Sequence, residues 1–154
     1  MNSQRATFGA GCFWHIQEEF DKLDVIKTTV GYMGGDETKY PKPSYKEVSS
    51  DKTGFIEVVQ IEYNPEKISY KELLDKFWKI HDPTSMDQQG ADIGTQYKSV
   101  VFFHSKEQEK EAKEAKDKEE KKINKKIVTE IRPAQTFFKA EDYHQNYYKK
   151  TCKT

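Results

Sequence analysis

Stretches rich in Val, Ile, Thr and aromatics alternate along this chain with stretches of helical period, and that alternation narrows the folds open to it. Thr7 to Gly9 is a strand candidate closed by Gly9 and Gly11. Behind it, Phe13, Ile16, Phe20 and Leu23 recur on one side of a helix. "DVIKTTVGYM" (24–33) reads as a buried strand. The segment 34–54, "GGDETKYPKPSYKEVSSDKTG", is irregular, and its length with its Gly and Pro content marks a functional loop. "FIEVVQIEY" (55–63) is a strand, followed by a turn at "NPEK". Ser69 and Glu72 form a capping box for a helix that carries Leu73, Leu74, Phe77 and Ile80 and ends near "HDP", where His81 caps it. A second irregular loop (84–96) leads into the strand "YKSVVFF" (97–103). Ser105 and Gln108 make a further capping box for a charged helix over 106–122, with i,i+4 pairs at Glu109–Lys113 and Glu114–Lys118. A strand near 127–131 and a helix near 141–150 complete the order, which contains no repeat.

The sequence β-α-β, loop, β-α-β, then α, β, α matches over its first six elements the split βαβ pattern. The expectation is an α+β fold, a two-layer α/β sandwich with a ferredoxin-like core, helices on one sheet face and long functional loops, in one domain over 1–154. Lys plus Arg and Asp plus Glu both number 26, so no bulk charge draws the chain to nucleic acid or to an anionic membrane. The signs in 106–122 are mixed, which reads as a solvated helix face. No apolar run approaches the ~20 residues that span a bilayer, and "MNSQRATF" lacks a secretion signal. A cytoplasmic protein is expected, in which Cys12 and Cys152 do not form a permanent structural disulfide.

Chemistry concentrates in few positions. Cys12 stands at a strand-to-helix turn, where free N–H groups and the helix dipole favour a thiolate; a buried structural cysteine is the other reading. Trp14 projects away from the centre of the apolar stripe, as a ligand wall does, or as a ring packed under the first loop or the C-terminal segment does. Glu57 is the one charged residue on the strand face Phe55, Glu57, Val59, Ile61, Tyr63. Burial there raises a carboxyl's pKa toward that of a general acid, unless an edge position or an ion pair explains it. Tyr45 and Tyr97, in the two loops, are candidate O–H donors to a developing oxyanion or packing residues. Cys12 and His15 have CxxH spacing with no second ligand pair, so no metal is expected, and no nucleotide-binding or GxSxG motif points to a cofactor or a serine nucleophile.

The chain resembles the class A peptide methionine sulfoxide reductases. "GCFW" (11–14) carries the likeness, followed in order by "GYMGG" (31–35), "SYKEV" (44–48), "TGFIEVVQIEYNP" (53–65), "HDPT" (81–84), "GADIGTQYKS" (90–99) and "AEDYHQNYY" (140–148). The resemblance implies thiol-dependent reduction of the S epimer of methionine sulfoxide, free or in proteins, in repair of oxidative damage. It implies Cys12 as the nucleophile that becomes a sulfenic acid, and Glu57 as the acid for the sulfoxide oxygen, with Tyr45 and Tyr97 donating to that oxygen. Phe13 and Trp14 are then walls around the substrate methyl, Asp92 holds the substrate backbone, and Tyr147 is a pocket residue. No cofactor is implied. Cys152 is the candidate resolving cysteine, with thioredoxin or another thiol as the reductant of a monomeric enzyme. The chain departs from common family patterns at His15, Ser49 and Phe55. Two other readings share parts of this pattern: a thiol peroxidase, and a non-catalytic module that binds methionine-containing peptides.

Overall fold

A computed structural model describes residues 3–90 and 92–146. Strands β1 (Gln4–Ala10), β2 (Lys27–Met33), β3 (Ile56–Tyr63), β6 (Ser99–Phe103), β7 (Glu130–Pro133) and β8 (Phe138–Lys139) form one sheet in the order β7-β6-β1-β3-β2-β8. A separate antiparallel pair joins β4 (Gln88–Gln89) to β5 (Asp92–Ile93). In the large sheet all neighbours are antiparallel except β6 and β7. With helices α1 (Phe13–Phe20), α2 (Tyr45–Ser49), α3 (Tyr70–Lys79) and α4 (Lys106–Ile123), the architecture is a mixed α/β fold. Among the described residues no helix is long and apolar enough to cross a membrane.

The main core lies between the helices and one face of the sheet. Phe8 from β1 stacks on Phe20 of α1, Phe77 of α3 and Tyr70, at 5.4, 5.0 and 6.1 Å between ring centroids. Alternation on β3 sends Val59, Ile61 and Tyr63 into this cluster, which Phe55 joins from just ahead of the strand. The other face carries a smaller cluster of Met33, Ile56, Val58, Val100 and Phe102 beneath Ala134 and Phe137. Gly31 is where β8 presses on β2: a Cβ there would meet the Phe138 carbonyl oxygen at 2.4 Å.

Several expected elements form where the residues put them. Ser69 and Glu72 cap α3 reciprocally, and α4 buries little more than Gln108 and Ala112. His81 donates from Nδ1 to the Phe77 carbonyl at 2.6 Å, which caps α3 at its C-terminal end. Burial pushes His81 down to about 4, so the ring is neutral and its Nε2 accepts from Ser99 Oγ at 2.7 Å.

Other expectations are corrected. The 34–54 loop contains α2, with its own reciprocal capping box of Ser44 and Glu47. The 84–96 loop contains the β4–β5 pair, and Tyr97 belongs to the 3-10 turn Thr95–Tyr97, before β6 begins. The box at Ser105 is half formed. Ser105 Oγ accepts the Gln108 N–H, but the Gln108 side-chain oxygen takes the His104 N–H instead. The strand expected at 127–131 forms at 130–133. The described part of the 141–150 segment is a 3-10 turn, Asp142–His144. Beyond that turn, the Gln145 side-chain amide pairs with both the N–H and the C=O of Val30 on β2 (2.9 Å each), and the Asn146 N–H donates to Gln17 Oε1 at 2.6 Å.

Candidate active site

The turn from β1 into α1 requires glycine twice over. Gly11 has φ 100°, and a Cβ on it would lie 2.9 Å from the Gln89 Cβ. Gln89 cannot withdraw easily, because its side chain accepts the Asp82 N–H (2.8 Å) and donates to the Asp82 carbonyl (2.7 Å). The next residue, Cys12, is the N-cap of α1, and its carbonyl accepts from the His15 and Ile16 N–H groups. Its side chain is half-buried beside a cleft of about 410 Å³, lined among others by Trp14, His81, Gln89, Gly90 and Asp92. His15, also on the rim, is exposed.

Glu57 is 1% exposed on β3. One carboxyl oxygen accepts the Phe13 N–H at 3.2 Å, and the other has no hydrogen-bond partner among the described residues. Burial pushes Glu57 up to about 8, against the pull of that N–H and with a further push from Asp92. At neutral pH the carboxyl is therefore protonated, and its free oxygen carries a proton without an acceptor. Burial and then the negative charge of Glu57 push Cys12 up to about 11, while the N–H groups of Trp14 and His15 pull it down. This corrects the expectation of a low-pKa thiol: the helix start favours a thiolate, but desolvation outweighs it.

Tyr45, the first residue of α2, and Tyr97 are both half-buried, and both hydroxyls are pushed up by burial and then by the Glu57 charge; Cys12 and Asp92 contribute further. Both hydroxyls therefore keep their protons at neutral pH and feel the charge of Glu57 and Cys12. Asp92, on β5, is exposed at the cleft. Phe13 is fully buried against Tyr32, Tyr45 and His144. Trp14 lines the cleft and also packs on Tyr45 of the first loop and on His144 of the C-terminal segment. Tyr147 and Cys152 lie outside the described residues.

Two residues that sequence reasoning missed tie this site together. His144 is 1% exposed and accepts the Trp14 indole N–H on Nδ1 at 3.0 Å, with its ring centre 4.3 Å from that of Tyr45. Glu141 accepts the Tyr32 hydroxyl (3.1 Å) and the Tyr45 N–H (3.3 Å). Both lie in "AEDYHQNYY", but nothing local in sequence marks partners about a hundred residues away. Trp14→Phe keeps an aromatic ring and removes the N–H. The expected result is a lower urea midpoint, corresponding to a loss of about 1–3 kcal/mol of unfolding free energy, because a buried imidazole nitrogen loses its donor. An unchanged midpoint would show that this bond holds nothing in place.

The sequence profile of the family described as peptide methionine sulfoxide reductase matches residues 4–154. The chain belongs to that family. It is 51% identical over 150 residues to the peptide methionine sulfoxide reductase MsrA of Methanoculleus marisnigri, covering 96% of this chain and 90% of that one. Among solved structures it is similar to reduced Mxr1 from Saccharomyces cerevisiae, with TM-score 0.94 and 40% identity over 99% of this chain and 87% of that one. Mxr1 in complex with Trx2 matches with TM-score 0.66 and 28% identity, covering 94% of this chain and 84% of that one. In this peptide methionine sulfoxide reductase, the family's "GCFW" run coincides with the turn that sets Cys12 beside Glu57.

Proposed function

We propose that the chain, read as a single domain over 1–154, is a thiol-dependent reductase of the S epimer of methionine sulfoxide, free or in proteins. Cys12 is the nucleophile. Its sulfur bonds to the sulfoxide sulfur while the Glu57 proton passes to the sulfoxide oxygen, and Glu57 is reprotonated at the expense of the Cys12 thiol. Tyr45 and Tyr97 donate hydrogen bonds to that oxygen as charge builds on it. Transfer of the oxygen to Cys12 leaves a sulfenic acid and releases methionine; sulfur is reduced in the substrate and oxidised in the enzyme. Phe13 and Trp14 wall the methyl group, Asp92 holds the substrate backbone, and Tyr147 belongs to the same pocket. The observation that carries this reading is the buried Glu57 carboxyl, with one oxygen on the Phe13 N–H and the other unpartnered.

A second thiol then condenses with the sulfenic acid, releasing water and forming a disulfide, which thioredoxin or another dithiol reduces. Thioredoxin is supported by the relative solved with Trx2. Cys152 is the internal candidate. It stands six positions after Asn146, within at most about 20 Å of chain, and Asn146 bonds to Gln17, about 7.5 Å along α1 from Cys12. The ferredoxin-like description of the core is supported by the order β6-β1-β3-β2 with α1 and α3 as crossovers. A monomer in the cytoplasm, where thiols are kept reduced, completes the reading.

The test is a single turnover on S-methionine sulfoxide without reductant, counting methionine formed and thiols left. One methionine per enzyme with both thiols lost is the expected result, and Cys152→Ser should leave the methionine yield unchanged with a sulfenic acid trapped on Cys12. No methionine from fully reduced enzyme would overturn the reductase reading. Cys152 remaining free would move recycling to an external thiol.

A further inference from the structure

Asp51 is held in a backbone conformation that its side chain does not favour. It follows Ser50, the C-cap of α2, and its N–H donates to the Val48 carbonyl at 3.1 Å, with φ 65°. That is the left-handed position after a helix, where glycine is the usual occupant. A non-glycine residue there carries a conformational cost, which persists when the surroundings over-determine it.

The Asp51 carboxylate reaches across to the other loop. One oxygen accepts the Thr95 N–H at 2.7 Å and also the Thr95 hydroxyl. Thr95 opens the 3-10 turn that ends at Tyr97, and the residue ahead of it, Gly94, has no side chain with which to cap that turn. Asp51 thus caps from 44 residues away the turn that carries Tyr97. The opposite end of its own short helix is Tyr45.

We propose that Asp51 is a positioning residue, which clamps the Thr95–Tyr97 turn to the end of α2 and so fixes the Tyr97 hydroxyl relative to Tyr45 above the Cys12–Glu57 pair. It touches no reacting atom and acts through Tyr97. The inference rests on the reading of Tyr97 as a donor to the sulfoxide oxygen.

Asp51→Gly relieves the backbone cost and deletes the clamp, so stability and activity should part company. The expected result is a thermal midpoint equal to or above the parent's, with kcat/KM lowered about tenfold. Asp51→Asn keeps an oxygen acceptor and tolerates the same φ, and should stay within about threefold of the parent. Asp51→Gly introduced into Tyr97→Phe should cost almost nothing further, because the hydroxyl it positions is gone. Thr95→Val, which keeps the N–H and removes the hydroxyl, should lose activity in the same direction without touching Asp51.

An Asp51→Gly enzyme with parental kcat/KM overturns the proposal, as does an equal loss in the Tyr97→Phe background. Asp51→Asn as poor as Asp51→Gly would also overturn it, since the acceptor would not be what matters. Tyr97→Phe alone separates the two levels. If it lowers kcat/KM while Asp51→Gly does not, only the clamp fails. If Tyr97→Phe has no effect, the donor reading fails and the clamp with it.

Discussion

In Glu57→Gln, methionine formation in a single turnover falls by about 10²–10⁴-fold, the usual worth of a positioned general acid. Substrate binding stays close to that of the parent, because glutamine keeps the shape and still accepts the Phe13 N–H. A sulfoxide oxygen leaves poorly without a proton, and among the described residues Glu57 is the carboxyl held protonated beside Cys12. The parent rate should fall as pH rises through about 8, the value to which burial pushes Glu57, and the variant should lose that limb. The same substitution should stabilise the protein on the alkaline side. Glu57 titrates near 4.5 when unfolded and near 8 when folded, so between those values the folded state holds a proton that the unfolded state has released. The Glu57 contribution to stability therefore declines with rising pH across that window, fully present below 4.5 and lost by 8. Glutamine does not titrate, so the variant lacks that decline while the histidine contributions remain, and relative to the parent it gains a few kcal/mol at the alkaline end at about 1.4 kcal/mol per pKa unit. Urea midpoints on both sides of the window check this. A variant that turns over at the parental rate, or whose stability follows the parent's pH course, would remove Glu57 from the role of buried acid.

The second large effect is on the core. Phe8→Ala should lower the unfolding free energy by about 3–5 kcal/mol, the range for a fully buried Phe. Phe8 is completely buried, and its ring lies among Phe20, Phe77 and Tyr70. No neighbouring backbone is free to collapse into the space, because β1 is paired on both sides, to β3 and β6. Since a domain of this kind holds about 5–15 kcal/mol in total, the variant should remain folded with a much reduced urea midpoint. Reactivity of Cys12 toward a thiol reagent should rise in parallel, because α1, which shares that core, shields it. A loss below about 1 kcal/mol would mean that the stacked rings repack around the gap.

How much of this could be read beforehand follows from how local each signal is. The carboxylate on β3 was legible because strand alternation puts every second residue on one face, and Glu57 breaks an apolar row. The Ser69–Glu72 cap was legible because both partners lie within one turn. Helix α2 carries the same Ser-x-x-Glu signature at Ser44 and Glu47, but Pro41 and Pro43 just before it and its five-residue length left no period to read. The β4 and β5 strands are two residues each and leave none either. Sequence distance pairs the Gln108 side chain with Ser105, yet its oxygen accepts the His104 N–H and its NH2 donates to the Arg5 carbonyl, on a strand 103 residues away. The shift of the Cys12 thiol is hidden from sequence for a similar reason. A helix start is visible in sequence, but the burial that outweighs it is created by tertiary packing. His144, Glu141 and Asp51 act on the site across 130, 96 and 44 residues, and no short-range pattern announces such pairs.

The Gln145 amide on Val30 has a consequence for how this protein meets other chains. Along β2, side chains and β8 meet outward-facing main-chain groups: Gln17 donates to the Thr28 carbonyl, Gln145 takes both polar groups of Val30, and β8 pairs beside Tyr32. On the opposite side, β7 presents Pro133 among charged neighbours. A polypeptide that extended the sheet along this part of β2 would therefore have to displace Gln17 and Gln145. A loose segment of high β-propensity meets side-chain amides there instead of open main chain, which blunts the template for a cross-β contact.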